Sequence, residues 1–152
     1  MKIYIYKEFI GETIKQVYYD KDGTYVIFKF ESGNGLLMEH EQDCCEYVDL
    51  DDVVGGKLEE LVGQKILNFE EVINRDLDEK PLKLNIDTVD TDDNSFTWSF
   101  YKISTIKDDI TLRWFGTSNG YYSEEIKVSK LDSKEIEFHI DTYVNGLWSK
   151  YN

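Results

Sequence analysis

Phe96-Thr97-Trp98-Ser99-Phe100-Tyr101 is the stretch whose reading decides the fold. Large rings at Phe96, Trp98 and Phe100 alternate with Thr97, Ser99 and Tyr101. A period of two places the two sets on opposite faces of a strand, the mark of a sheet with one buried face. Ile110, Leu112 and Trp114 repeat the pattern after a turn at Lys107-Asp108-Asp109.

Working outward, the same chemistry recurs. Ile3, Ile5 and Phe9 suggest a first strand ending at Gly11. Thr13 to Tyr19 and Thr24 to Phe30 flank Asp20-Lys21-Asp22-Gly23, whose Asp-Gly pair suits the positive φ angles of a tight hairpin. Val26, Phe28 and Phe30 share one face of the second arm, and Gly33-Asn34-Gly35 turns the chain into Leu36 to Met38. Tyr121 to Val128 and the alternation of Ile136, Phe138 and Ile140 with Glu137, His139 and Asp141 read as further strands, as does Ile66 to Ile73, where Asn68-Phe69-Glu70-Glu71 leaves a helix as the alternative. The acid-rich segment Asp49 to Val62 is broken by Gly55-Gly56. Within it, Lys57 to Leu61 predicts one or two helical turns, with Leu58, Leu61 and Val62 facing inward and Gly63 as cap. Pro81 follows a polar connector from Asn74 to Lys80, and Asp87, Asp90, Asp92 and Asp93 read as a solvated turn. Leu147, Trp148 and Tyr151 are expected to tuck the end against the sheet. The expectation is α+β: a mostly antiparallel β-sheet with one or two short helices, in a single domain spanning 1–152.

Composition narrows the function. The 152 residues carry 17 Lys+Arg against 31 Asp+Glu, a formal charge of −14, with 41% hydrophobic and 14% aromatic residues. That apolar share excludes a disordered acidic tail. The charge argues against direct nucleic-acid binding and against anionic membranes, because phosphates would be repelled. Met1-Lys2-Ile3-Tyr4 lacks the apolar core of a signal peptide, and no run approaches the roughly 20 apolar residues of a bilayer span. An intracellular protein is expected, with a cation or a basic protein surface as its natural partner.

Three of the chain's four His and Cys residues, His40, Cys44 and Cys45, fall within Glu39-His40-Glu41-Gln42-Asp43-Cys44-Cys45-Glu46. Imidazole and thiolate are preferred zinc ligands, so His40, Cys44 and Cys45 are the candidate metal site, with a carboxylate or water completing a tetrahedron. The alternative is a small buried cysteine beside a solvated histidine, and a vicinal disulfide is disfavoured in a reducing cytosol. His139, between Glu137 and Asp141, reads as a surface histidine. No phosphate-cradling glycine loop, nucleophile elbow or His-Glu-x-x-His string is present, and acids around Cys44 would raise a thiol pKa without a metal. No catalytic residues are assigned. Trp114 to Glu124, with aromatics around Ser118-Asn119-Gly120, is a second candidate binding surface or else a packed sheet edge.

The strings His40-Glu41-Gln42-Asp43-Cys44-Cys45-Glu46 and Ser118-Asn119-Gly120-Tyr121-Tyr122-Ser123-Glu124 resemble a family of small uncharacterised proteins of phages and prophages of Gram-positive bacteria, over about Gly11 to Val128. The chain also resembles the type II-A anti-CRISPR inhibitors of streptococcal phages, a class described as zinc-binding. That resemblance implies a non-enzymatic inhibitor in the cytoplasm of the infected bacterium. Such an inhibitor would bind a basic face of the host's CRISPR effector nuclease and block target DNA loading. It assigns no ligand residues. Two rival expectations stand beside it: capture of a small signalling molecule near Trp114 and Tyr121-Tyr122, and a small metallo-hydrolase with Glu41 as base.

Overall fold

The computed structural model describes residues 2–75, 79–83 and 95–146; the acids expected to form a turn at Asp87 to Asp93, and the end from Leu147, lie outside them. Its strands are β1 (Ile3–Ile5), β2 (Ile14–Tyr19), β3 (Tyr25–Phe30), β4 (Gly35–Glu39), β5 (Tyr47–Val54), β6 (Asn68–Arg75), β7 (Ser95–Ser104), β8 (Asp109–Ser118) and β9 (Lys127–Leu131), followed by one α-helix, α1 (Ser133–His139). Short 3₁₀ turns occupy Lys7–Phe9 and Leu58–Leu61. The strands make two sheets, a five-stranded one ordered β1-β6-β7-β8-β5 and a four-stranded one ordered β2-β3-β4-β9. Among the described residues every pairing is antiparallel. The fold is α+β and mostly antiparallel β, as the alternation of β7 and β8 predicts.

One core joins the two sheets. Val26, Phe28, Phe30, Leu36 and Met38 from the smaller sheet meet Phe69, Tyr101, Ile103, Ile110, Leu112 and Trp114 from the larger, all buried. Burial of such side chains contributes about 1.5–3 kcal/mol each before chain entropy is charged against it. The opposite face of the smaller sheet, Ile27 and Leu37, is covered by Ile136 and Ile140. Close approach at this point requires Gly35, where a Cβ would lie 2.6 Å from Ile136 Cδ1.

The period-two reading of β7 holds, but the rings of Phe96, Trp98 and Phe100 do not line the shared core. They lie on the outer face of the larger sheet, where Trp98 is nonetheless fully buried. Phe115 packs 5.0 Å from Trp98, and the Arg113 guanidinium sits 4.9 Å over the same ring. Arg113 pairs with Asp52 and Glu79, and Trp98 Nε1 donates to the Glu79 carbonyl. Glu79 therefore reaches across this face, which buries Trp98 fully and leaves Phe96 and Phe100 half-buried.

Three expectations are corrected, and one segment left unassigned is placed. The first strand ends at Ile5, and Phe9 sits in the 3₁₀ turn that follows it. The acidic run from Asp49, unassigned by the sequence, belongs to a strand, β5, with a bulge between Leu50 and Asp52. Asp51 is buried because its carboxylate accepts the backbone N–H groups of Leu82 and Lys83 at 2.9 and 3.1 Å, contacts that no local pattern could announce. Ile136 to Ile140 is helical, not extended. Asp132 caps α1 by accepting from Lys134 N and Glu135 N, and the capping box with Glu135 outweighs a short alternation. Residues 121–126 form a loop, so the strand begins only at Lys127. A smaller difference is Val62, which is 40% exposed while Leu58 and Leu61 are buried.

Candidate functional site

The two strings singled out in the sequence form facing loops at one end of the molecule. Residues 40–46 leave β4 and lead into β5; residues 119–126 leave β8 and lead into β9. Since β4 pairs with β9 and β5 with β8, the loops are held side by side by four strands.

Each loop closes on its own glutamate. Glu46 is 5% exposed and gathers donors from Asp43 N at 3.0 Å, Cys44 N at 2.8 Å and Gln42 Nε2 at 3.1 Å. Burial alone would raise the Glu46 carboxyl. The hydrogen bonds from Cys44, His40 and Asp43 win, and hold it down to about 2. Glu124, 6% exposed, accepts from the hydroxyls of Ser95, Thr97 and Ser118. That closure depends on Gly116, where a Cβ would come within 2.8 Å of Glu124 Cβ. In both strings the final acid is thus an internal latch rather than a surface charge.

His40 joins the loops. Its Nδ1 lies 2.6 Å from the Glu125 carbonyl, and its Nε2 lies 2.8 Å from Glu46 Oε2. A carbonyl only accepts, so the hydrogen on Nδ1 is assigned to that bond. The ring thus lies between two oxygens, the Glu125 carbonyl on one side and the Glu46 carboxylate on the other. The imidazole is 5% exposed and the Glu46 carboxyl is not exposed at all.

Cys44 and Cys45 are both exposed and joined to one another as a vicinal disulfide, the arrangement that the sequence reading disfavoured. In this arrangement the sulfurs are not thiolates, and both His40 nitrogens face oxygen. Among the described residues no three His, Cys, Asp or Glu side chains surround a common point as metal ligands. As arranged here, His40, Cys44 and Cys45 do not compose a zinc cage; that cage needs reduced sulfurs and a turned imidazole. His139 lies elsewhere, on α1, with its ring 5.6 Å from Phe138 and 5.4 Å from Tyr143.

Around this internal frame the exposed side chains include three carboxylates. Glu41, Asp43 and Glu125 face outward, and a cleft of about 540 Å³ between the loops is lined by His40, Glu41, Gln42, Asp43, Ser123, Glu125, Ile126 and Lys127. Lys127 pairs with Glu41 at 2.6 Å and Arg75 with Glu125 at 3.4 Å, exposed contacts of small energy. Tyr121, 83% exposed, stands at the tip of the second loop against Tyr122. Trp114 takes no part, being 1% exposed in the core. The sequence does not reveal that the Glu125 carbonyl meets His40, or that Glu124 meets Ser95 and Thr97, because these contacts depend on strand pairing.

Fold and loops define a two-sheet, antiparallel β protein with one end built from two loops, each closed on a buried glutamate. The chain belongs to the family described as a domain of unknown function (DUF7448), which matches residues 7–128, the span that holds both loops. No curated protein and no solved structure matches the chain.

Proposed function

We propose that this chain is a non-catalytic binding protein that docks its acidic two-loop end on a basic, nucleic-acid-binding surface of another protein. The observation that carries the reading is the construction of that end. Buried Glu46, His40 and Glu124 fix the two loops internally, while Glu41, Asp43, Glu125 and Tyr121 point outward. Interior bonds are spent on rigidity, and a preorganised surface binds with less ordering entropy to overcome. Outward carboxylates with an exposed tyrosine match a partner rich in Lys and Arg, and such complementarity steers association.

The partner proposed is the CRISPR effector nuclease of an infected bacterium, in the cytoplasm, with target DNA loading blocked by occupation of its phosphate-binding surface. The class of partner rests on the acidity, and its identity on the resemblance of the sequence to type II-A inhibitors. Among the described residues no helix is long and apolar enough to cross a membrane. A structural zinc on His40, Cys44 and Cys45 belongs to this reading in a reduced form of the loop.

The test is a binding titration of the purified chain against a type II-A effector nuclease loaded with guide RNA, with target DNA binding as a second readout. Glu41→Lys, Asp43→Lys and Glu125→Lys together should weaken docking at least tenfold and restore DNA loading. Equal affinity in the triple variant, or affinity indifferent to salt, would sink the acidic-docking mechanism.

A further inference from the structure

The arm His40 to Gln42 separates two clefts, and only one belongs to the face just described. The second, of about 630 Å³, opens between Asp20 and Thr24-Tyr25 at the β2–β3 turn, Glu39 and His40 at the end of β4, and Thr142-Tyr143 after α1. Resting on the docking reading, we propose that this cleft receives an arginine side chain of the basic partner.

The argument is chemical. Tyr25 and Tyr143 supply aromatic surface, with ring centroids 5.3 Å apart and planes inclined at 48°. Glu39 spends one oxygen, Oε2, on the Tyr143 hydroxyl at 2.9 Å, which aims the carboxylate and leaves Oε1 for a ligand. Asp20 supplies a second carboxylate, whose two oxygens accept from Thr24, Oδ1 from the backbone N–H at 2.7 Å and Oδ2 from the hydroxyl. Among the described residues no Lys or Arg lines the cleft, and the one imidazole there, His40, faces Glu46. The uncompensated charge there is negative.

A guanidinium suits this set better than an ammonium. It is planar, stacks on tyrosine, and presents paired donors to a carboxylate, whereas a lysine head is a compact and strongly hydrated charge. Because His40 and Gln42 line both clefts, an arginine seated here would be continuous with the acidic face. Arginines filling pockets of this kind are frequent anchors of protein interfaces.

The test is a two-dimensional NMR titration of the full chain with arginine amide at low salt, with citrulline amide as an isostere whose side chain is uncharged. Arginine amide should shift the resonances of Tyr25, Glu39 and Tyr143 saturably, and citrulline amide should not. Glu39→Gln keeps an acceptor for Tyr143 and should weaken binding at least fivefold; Asp20→Asn, which keeps an oxygen for Thr24, should weaken it less. Equal shifts from citrulline amide, shifts that map outside the cleft, or unchanged affinity in a folded Glu39→Gln protein would overturn the proposal. The two readings fail separately. Saturation at Glu39 without docking on the nuclease keeps the pocket and removes the partner; docking without saturation removes the pocket and keeps the acidic face.

Discussion

His40 and Glu46 meet at 2.8 Å with both side chains withdrawn from solvent, and through the far nitrogen of the same ring the Glu125 carbonyl is tied in. One imidazole therefore couples two loops 85 residues apart in sequence. The loop end of the molecule behaves as a unit, and its stability should report the charge of Glu46.

The sign follows from the direction of the shift. Glu46 is held from an ordinary 4.5 down to about 2, so the folded state binds its proton less readily than the unfolded chain. Its contribution is fully present above the ordinary value and is lost as pH falls from there to about 2. Glu46→Gln should melt below wild type at neutral pH, and the gap should close as pH approaches the lower value. Thermal melts of both proteins across that window check this, and a gap independent of pH would show that the carboxylate charge is not what holds the loop.

Gly116→Ala tests the second latch. The new methyl would fall 2.8 Å from Glu124 Cβ and 3.1 Å from the Glu124 carbonyl, on a strand that cannot yield freely. Overpacking of this kind costs about 1–3 kcal/mol, or a melting point lower by roughly 2–4 °C for each kcal/mol in a chain of this size. A melting point at or above wild type would place Glu124 elsewhere.

How far the sequence was legible depends on the range of the forces involved. The β2–β3 hairpin was readable from Asp22-Gly23 between alternating arms, and β7 and β8 from their period, because both signals are local. β5 was hidden because Asp49 and Asp51 are acids in a strand. Tyr47 offers Asp49 a hydroxyl at 2.6 Å, but the donors for Asp51 come from 31 and 32 residues away. The candidate site was half legible. His40, Cys44 and Cys45 stood out by residue type, whereas Glu124 and Glu125 were assigned by strand pairing that only the fold supplies.

The correction at α1 yields a sharp test, since a strand and a helix sort the same residues differently. An extended run would bury Ile136, Phe138 and Ile140 together. The helix buries Ile136 and Ile140 and leaves Phe138 64% exposed. Ile136→Ala should therefore destabilise by about 2–5 kcal/mol, while Phe138→Ala should stay within about 0.5 kcal/mol of wild type. Equal losses in chemical denaturation would restore the strand.

The state of the sulfurs decides the metal question. Zinc is held by thiolates, and a disulfide offers none. Protein kept oxidised should show no free thiol on titration with a chromogenic disulfide reagent and should retain no zinc after dialysis. Reduction by a dithiol turns the Cys44–Cys45 bond into two thiols as the dithiol becomes a cyclic disulfide, and zinc supplied afterwards should then be retained at about one ion per chain. Cys44→Ser should abolish that retention, and His40→Ala should weaken it, because the imidazole must leave Glu46 to serve the ion. Elemental analysis of the four samples gives the answer: zinc held equally by oxidised protein and by Cys44→Ser would remove these residues as its ligands, and no zinc in the reduced wild type would remove the metal from the function.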